Sequence, residues 1–402
     1  MKTKIGVFFG GRSTEHEISV ISALQTINAI DKTKYDIYPI YITKDGRWLT
    51  GNILTEINEY KDIQKLESAC REVYMKTTYN DYNVYFSQPK GLFNKVEIYA
   101  KLDLAFPVLH GSNGEDGVFQ GVLDNIGIPY VGCDVIASAL GMDKIFMKQV
   151  LQANDIPVVP YIWFIDKDWI SHEDVIVKRI EQSLGYPVII KPANLGSSVG
   201  IKTAHDADSL KRSVLNAIKY SSRIIVERLL TDMKEINCSV LGNAERCEAS
   251  ILEEPMKTGE LLSYEDKYMG GSKGSEGMAA SSKRIPAELD SKTADLIRSI
   301  SKQTFQSLGC SGVSRVDVMI ECTSNNVYVN EINTIPGSLS YYLWEFTGIT
   351  FTALTDKLIS LAFQRSREQK SKITSYSLNI FNTNIGSGSK GTKMGAKTGR
   401  LK

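Results

Sequence analysis

The sequence has few of the features that mark secreted, zinc-binding, membrane or nucleic-acid-binding proteins. Six cysteines occur among 402 residues, without a C-x-x-C pair and with four histidines, so we expect free thiols in a reducing cytoplasm rather than a zinc site. No run of about 18 apolar residues exists, and the opening apolar stretch is too short for a signal peptide. Lys plus Arg (47) nearly equals Asp plus Glu (46), which gives no case for nucleic acid or a membrane surface as a partner. We therefore expect a soluble, cytoplasmic globular protein.

The chain is long enough for two or three domains. In residues 1–138, short apolar strands alternate with helical stretches, which predicts an α/β domain with a doubly wound, parallel sheet. Residues 51–95 are polar and aromatic-rich, and they fit no element of this pattern. Residues 257–282 have no apolar period, and so long a segment inside a compact protein is typical of a functional lid. The tail at 373–402 has low complexity, and we expect it to be disordered.

Two glycine-rich segments each follow a predicted strand. The first, Gly10–Glu17, opens a helix but does not have the G-x-G-x-x-G spacing of a dinucleotide site. A capped helix start explains Thr14 and Glu17, and it leaves Glu15 as a possible ligand for a substrate ammonium. The second, His110–Gly117, lies where open α/β sheets bind ligands. A lone histidine is usually structural, but His, Asn, Glu and Asp interleaved with glycines favour a site.

A lysine ends another apolar strand. Lys191 follows Val188–Ile190 and precedes a Gly/Ser loop that contains Ser197 and Ser198. An ammonium, two hydroxyls and backbone N–H groups together suit phosphate oxygens, although the loop lacks the G-K-[ST] of a Walker A motif. The alternative is an exposed lysine before a turn, but a lysine at the end of a buried strand needs a partner or a ligand.

Oxygen-bearing side chains follow two consecutive predicted strands. Asp317 lies on the first, beside Arg315, and Glu331 and Asn333 lie two apart on one face of the second. A hairpin would bring the three oxygen ligands together, as Mg²⁺ requires. The alternative interpretation is polar alternation on a solvated sheet face.

Taken in this order, the segments resemble the D-alanine–D-alanine ligase family of the ATP-grasp superfamily. The resemblance covers residues 4–16, 102–145, 185–200, 224–240, 264–268 and 310–343. It implies an N-terminal α/β domain (1–138), a central ATP-grasp subdomain (139–225) and a C-terminal ATP-grasp subdomain (226–372), with ATP between the last two. It also implies an ATP-dependent ligase that activates the first D-amino acid as an acyl phosphate.

The resemblance further implies roles for individual side chains. Glu15 would hold the ammonium of the first D-alanine, with His110 nearby. Asp317, Glu331 and Asn333 would hold two Mg²⁺ ions, for which Mn²⁺ can substitute. ATP would be bound by residues of both ATP-grasp subdomains: Lys144, Lys191, Ser197, Ser198, Glu227, Leu229, Leu230, Glu235 and Lys267.

Further implied roles concern the joining step and the lid. Arg315 and the backbone N–H of Gly337 would stabilise the oxyanion of the tetrahedral intermediate. Tyr268 would hydrogen-bond with Ser197 and Glu15 to hold the lid shut. Lys267 would also face the carboxylate of the acceptor amino acid.

The acceptor segment departs from the housekeeping pattern. Tyr342 stands where those enzymes have a serine that helps bind the acceptor carboxylate, whereas Leu343 matches. The pattern Ile332–Leu339 is similar to the vancomycin-resistance D-alanine–D-serine ligases of the VanG kind, and Tyr268 argues against the D-lactate type. We therefore expect D-alanine and D-serine as substrates of a homodimeric enzyme that supplies peptidoglycan precursors.

Three alternatives remain at this stage. The first is a D-alanine–D-alanine ligase of cell-wall synthesis. The second is another ATP-grasp carboxylate–amine ligase, which turnover with L-amino acids only would favour. The third is a nucleotide-binding regulator without catalysis, which predicts a missing Lys, Arg or metal ligand, and none is missing from the motifs.

Overall fold

The computed structural model describes residues 2–88, 96–196, 199–256 and 283–375. These residues form three sheets, with helices packed against them. The fold is the expected one, an ATP-grasp fold of mixed α/β and α+β character that follows an N-terminal α/β domain. No helix among these residues is long and apolar enough to cross a bilayer.

The N-terminal sheet has the strand order β6-β5-β4-β3-β2-β1-β7, parallel at the β7 end and antiparallel from β2 to the β6 edge. Its strands in chain order are β1 (Thr3–Gly10), β2 (Tyr35–Ile42), β3 (Trp48–Thr50), β4 (Arg71–Met75), β5 (Asn83–Phe86), β6 (Ile98–Lys101) and β7 (Leu104–Val108). Strand β1 lies between β2 and β7 and is parallel to both. From β2 outwards to β6, neighbouring strands are antiparallel. Segment 51–95 therefore adds β4 and β5 to this sheet, and these strands are too short to show an alternating pattern.

Helices cover both faces of the N-terminal sheet. They are α1 (His16–Ala29), α2 (Ile63–Ala69) and α3 (Val118–Ile126), and two 3-10 turns lie at Asn52–Thr55 and Ile57–Lys61. The next helix, α4 (Val135–Met142), packs with the C-terminal sheet instead. Along β1, Val7 and Phe9 join one core cluster, whereas Phe8 joins the cluster on the opposite face. A central strand buried on both faces is apolar throughout, which explains the continuous run in the sequence.

The predicted capping box at α1 is wrong. Glu15 occupies the N-cap position and no side chain caps the helix. Glu17 instead forms a surface ion pair with Lys44. The buried ring of His16 binds the Gly11 carbonyl oxygen through Nδ1 at 2.7 Å, so the helix start is fixed from within the fold.

The central sheet has the strand order β10-β9-β11-β8, and all its neighbours are antiparallel. The strands are β8 (Tyr161–Ile165), β9 (Val188–Pro192), β10 (Lys202–Ala204) and β11 (Arg223–Arg228). Helices α5 (Lys144–Ala153), α6 (Asp166–Ser183) and α7 (Ala207–Ala217) accompany it. Strand β11 continues in this sheet to Arg228, beyond the predicted boundary at residue 225. The predicted domain boundaries stay predictions.

The C-terminal sheet is also antiparallel, with the order β14-β13-β12-β15-β16. Its strands are β12 (Met233–Gly242), β13 (Cys247–Pro255), β14 (Lys283–Arg284), β15 (Gly312–Glu321) and β16 (Val327–Asn333). Its helices are α8 (Ser291–Ser307), α9 (Tyr341–Glu345) and α10 (Phe351–Lys370), with a 3-10 turn at Gly337–Ser340. The predicted lid at 257–282 and the tail from residue 376 lie outside the described residues.

Candidate active site

The turn between β1 and α1 places Glu15 against two other loops. Gly10 and Gly11 have φ angles of +89° and +97°, and a Cβ at Gly10 would lie 2.3 Å from the Ile42 carbonyl oxygen, so only glycine fits there. A Cβ at Gly111 would lie 2.6 Å from Glu15 Oε2, and one at Gly196 would lie 3.1 Å from the same atom. The first three sequence motifs therefore meet around one buried carboxylate.

His110 links α1 to the 3-10 turn at Gly337–Ser340. Its Nε2 lies 2.9 Å from the Ser22 hydroxyl, and the same hydroxyl accepts a hydrogen bond from the Ser338 backbone N–H at 2.9 Å. Burial lowers the pKa of His110 to about 4, so its ring is neutral at physiological pH. His110 therefore connects to this turn through the Ser22 hydroxyl without adding a charge.

Glu115 is a site residue to which the sequence motif gave no role. Its Oε2 accepts from the Gly111 backbone N–H at 2.8 Å, and its Oε1 accepts from the Ile335 N–H at 3.0 Å. Burial, and then the nearby Glu15 carboxylate, raise the pKa of Glu115 to about 8. Glu115 therefore carries a proton at neutral pH and joins the N-terminal and C-terminal parts of the site.

Replacing Glu115 by glutamine is expected to change how stability depends on pH. Between the ordinary glutamate pKa of 4.5 and the value of about 8 in the fold, the unfolded chain releases a proton that the folded chain keeps. The wild-type protein therefore loses up to about 1.4 kcal/mol of stability for each pH unit in this window. Glutamine does not ionise, so Glu115→Gln should gain stability relative to wild type as pH rises from 5 to 8. Urea unfolding of both proteins at several pH values measures the difference between their free energies of unfolding. A difference that stays constant with pH would contradict this expectation.

Lys144 and Lys191 reach the same region from different elements. Asp143 caps α5 by accepting from the Ile145 and Phe146 N–H groups and also pairs with Arg223, which fixes the helix start. Lys144 Nζ then donates to the Leu195 carbonyl oxygen at 2.7 Å and lies 3.6 Å from Glu331 Oε2.

Lys191 extends from β9 towards β11 and β16. Its Nζ lies 2.9 Å from Glu227 Oε2 and 3.2 Å from Asn330 Oδ1. Both lysines are almost completely buried, and a buried ammonium needs acceptors. The structure therefore brings Lys144, Lys191, Glu227 and Glu331 close to one another.

The hinge after β11 is held between the central and C-terminal sheets. The Leu229 N–H donates to the Pro187 carbonyl oxygen at 3.0 Å, and Leu230 packs with Val159 and Met319. Glu235 lies on the adjacent strand β12, opposite Met319, and its charge acts on Asp317. These positions agree with a nucleotide between the two sheets.

The predicted hairpin that carries Asp317, Glu331 and Asn333 is present, formed by β15 and β16. In the β15–β16 pair, Asp317 lies opposite Glu331 and Arg315 lies opposite Asn333. Arg315 Nε and Nη2 donate to the two Asp317 oxygens at 2.6 and 2.7 Å. The Asn333 Nδ2 donates to Asp317 Oδ2 at 3.2 Å.

The chemistry of this donor set fits Mg²⁺. Burial, and after it the charges of Glu331 and Glu235, raise the pKa of Asp317 against the opposing effect of Arg315, and a divalent cation would relieve this excess of negative charge. Among the described residues, no three His, Cys, Asp or Glu side chains form a metal cluster. Two carboxylates and one amide would leave coordination positions for water and phosphate oxygens, which is the usual arrangement for Mg²⁺.

The acceptor segment begins with strained backbone. Ser338, Leu339 and Ser340 have φ angles of 51°, 52° and 49°, a conformation that residues other than glycine adopt at a cost and often near active sites. This turn holds Gly337 beside β15. Leu343 is completely buried and therefore supports the segment from behind.

Tyr342 contacts a polar cluster. Its hydroxyl donates to Glu253 Oε2 at 2.8 Å, and Asn237 Nδ2 donates to the same oxygen at 3.1 Å. Lys283 Nζ lies 3.3 Å from Glu253 Oε1 and 4.1 Å from the centre of the Tyr342 ring. The tyrosine hydroxyl is thus engaged by a carboxylate, whereas a serine at this position could not reach so far. Four other predicted site residues lie outside the described ranges: Ser197, Ser198, Lys267 and Tyr268.

Comparison with known proteins agrees with this geometry. The family descriptions "D-ala D-ala ligase N-terminus" and "D-ala D-ala ligase C-terminus" match residues 4–133 and 150–360. A D-alanine–D-alanine ligase from Thermosipho melanesiensis is 38% identical over 382 residues, 95% of this chain and 99% of that protein.

Two solved structures are similar over nearly the whole chain. A D-alanine–D-alanine ligase from Coxiella burnetii has 30% identity and a TM-score of 0.75, covering 92% of this chain and 96% of that one. The VanG D-Ala:D-Ser ligase from Enterococcus faecalis has 31% identity and a TM-score of 0.76, covering 90% and 100%. The chain therefore belongs to the D-alanine–D-alanine ligase family and is an ATP-dependent D-amino-acid ligase.

Proposed function

We propose that the enzyme joins two molecules of D-alanine to supply a dipeptide for cell-wall synthesis. The observation that carries this proposal is the contact between Glu15 and the loop after β9 at Gly196. An amino acid whose ammonium is held by Glu15 lies beside the loop that follows the phosphate-binding Lys191. Its carboxylate can therefore meet the γ-phosphate of ATP without moving between sites.

In the first step, the carboxylate of the first D-alanine attacks the γ-phosphate, which forms an acyl phosphate and ADP. Lys144 and Lys191 reduce the repulsion between the anionic carboxylate and the phosphates. Asp317, Glu331 and Asn333 would hold Mg²⁺, which supplies Lewis-acid stabilisation of the phosphate oxygens. Glu227, the hinge at Leu229 and Leu230, and Glu235 would bind the adenosine.

In the second step, the amine of the acceptor attacks the acyl carbon and phosphate leaves. Arg315 and the Gly337 N–H would donate to the oxyanion that develops. The lid that contains Lys267 and Tyr268, with Ser197 and Ser198 of the facing loop, would exclude water from the acyl phosphate. The enzyme would act in the cytoplasm as a homodimer.

The choice of acceptor is revised from the expectation based on sequence. D-Serine was expected from the Ile332–Leu339 pattern and Tyr342, and the VanG ligase is one of the similar structures. The more similar full-length relatives are D-alanine–D-alanine ligases, which favours D-alanine. No link to vancomycin resistance is proposed.

A competition assay is expected to yield mainly D-alanyl-D-alanine. The purified enzyme is incubated with Mg-ATP and equal D-alanine and D-serine, and ADP and both dipeptides are measured between pH 6 and 9. The first-site chemistry is common to both products, so the dipeptide ratio reports the acceptor pocket directly. A hydroxyl is selected strongly only by a dedicated polar partner, and the Tyr342 hydroxyl is already bonded to Glu253.

Other outcomes of this assay have different meanings. A majority of D-alanyl-D-serine would show that the acceptor is D-serine. Turnover with L-amino acids alone would indicate another kind of ATP-grasp ligase. An absence of ADP release with every pair of D-amino acids would overturn the proposal.

A further inference from the structure

A second lysine of α5 is buried behind the nucleotide-binding residues. Lys148 follows Lys144 by one helical turn, so the two side chains share a helix face. The Lys148 side chain is 0% exposed, and its Nζ lies 3.3 Å from Glu227 Oε1. Because it is completely buried, Lys148 cannot itself contact a nucleotide, and it can act on one only through Glu227.

Glu227 lies between two ammonium groups. Its Oε2 is 2.9 Å from Lys191 Nζ, and its own side chain is 1% exposed. The contact between Oε1 and Lys148 Nζ does not have hydrogen-bond geometry, and neither atom has an aligned partner in the described part of the chain. Glu227 Oε1 is therefore held by charge inside the fold. Oε2, beside Lys191, has a second lone pair and keeps the capacity to accept a further hydrogen bond.

The charges decide the protonation of Glu227. Burial alone would raise the pKa of this carboxyl, but Lys148 and Lys191 outweigh burial and lower it. An ionised carboxylate accepts hydrogen bonds and cannot donate one. One cation would be enough to pair with this carboxylate, and burying a second ammonium costs free energy. The second ammonium therefore calls for a functional explanation.

We propose that Lys148 is a positioning residue that keeps Glu227 as a pure hydrogen-bond acceptor and thereby selects nucleotides with a 6-amino purine. This inference rests on the proposed binding of adenine by Glu227. Adenine presents an N–H donor at position 6, whereas a 6-oxo purine presents an acceptor. Two acceptors facing each other in a buried site leave both unpaired, which penalises the 6-oxo base.

The test compares ATP with inosine triphosphate, which carries the 6-oxo group. In Lys148→Met, we expect the ratio of kcat/KM for ATP to that for inosine triphosphate to fall roughly tenfold. The KM for ATP should rise, whereas kcat at saturating ATP should change less than about threefold because no reacting group is lost. Lys357→Met, which breaks a surface ion pair with Glu248, is the matched control and should leave the ratio unchanged.

A double-mutant cycle separates positioning from general destabilisation. Glu227→Gln can donate as well as accept, so it should lower the nucleotide ratio by itself. Adding Lys148→Met to Glu227→Gln should then change the ratio no further, because Lys148 acts through the carboxylate charge. Lys148→Gln, which keeps a donor without the charge, provides the same measurement if the methionine variant does not fold.

The outcomes distinguish this inference from the proposed function. A wild-type enzyme without ATP-dependent ligation would overturn the proposed function. Normal wild-type ligation with an unchanged nucleotide ratio in folded Lys148→Met would overturn the role of Lys148 alone. The role of Lys148 would also be overturned if Lys148→Met and Glu227→Gln changed the nucleotide ratio by independent factors that multiply in the double mutant.

Discussion

Replacing Arg315 by lysine is expected to reduce kcat by about 100- to 1,000-fold, the usual effect of losing one oxyanion donor. Arg315 uses Nε and Nη2 to bind both oxygens of Asp317, and this planar fork fixes the direction of its remaining N–H groups. The charges of Tyr342 and Glu253 also act on Arg315. The guanidinium therefore lies between Asp317 on one side and Tyr342 and Glu253 on the other. A lysine keeps the positive charge but can neither bind both Asp317 oxygens in one plane nor aim a second donor.

The decrease should appear in kcat more than in KM. A donor to the oxyanion acts in the transition state, whereas the ground states of ATP and D-alanine do not depend on it. Arg298→Lys is a suitable control, since Arg298 pairs with Asp295 on the surface of α8. Thermal unfolding of both variants checks that the fold is intact. A tenfold rise in KM with normal kcat would assign Arg315 to substrate binding instead.

The parts of this site that could be predicted from sequence are local. Asp317, Glu331 and Asn333 were expected on facing strands because a two-residue period and a short connection define a hairpin. The register of β15 and β16 places Asp317 opposite Glu331, as that reasoning requires. The three motifs that meet at Glu15 could each be recognised because each follows a buried strand.

The parts that could not be predicted depend on contacts between distant segments. Glu115 binds the Ile335 N–H from a position 220 residues away, and no periodicity encodes such a pair. Lys148 is completely buried and lies against Glu227 of β11, a contact between distant segments that no local pattern encodes. The capping box at Thr14 failed for a related reason, because the interior contact of His16 fixes the helix start.

The carboxylates of the site differ in their pKa values and in the charged groups around them. Glu15 and Glu115 lie together, and burial and the Glu15 charge raise the pKa of Glu115, whereas Lys148 and Lys191 outweigh burial and lower the pKa of Glu227. The same residue type thus differs in protonation between these positions, because the surrounding charges differ. Asp317 and Glu331 lie opposite each other, the first paired with Arg315 and the second 3.6 Å from Lys144.

Replacing Glu331 by glutamine is expected to reduce turnover by at least about 1,000-fold, equivalent to roughly 4 kcal/mol of transition-state stabilisation. Glutamine has the same shape, but it removes one negative charge from the metal ligands and the partner of Lys144, which lies 3.6 Å away. Binding of Mn²⁺ in the presence of ADP, followed by electron paramagnetic resonance, should weaken in parallel. Raised Mg²⁺ should recover part of the activity.

The matched control for this substitution is Glu248→Gln, which breaks the surface ion pair with Lys357 and should retain full activity. Because Glu331 is partly exposed at the end of β16, its replacement should leave the unfolding temperature nearly unchanged. Loss of activity with unchanged Mn²⁺ binding would mean that Glu331 acts on Lys144 rather than on the metal. Full activity in a folded Glu331→Gln enzyme would remove the β15–β16 hairpin from the mechanism, since its facing carboxylates are the feature that fits a divalent cation.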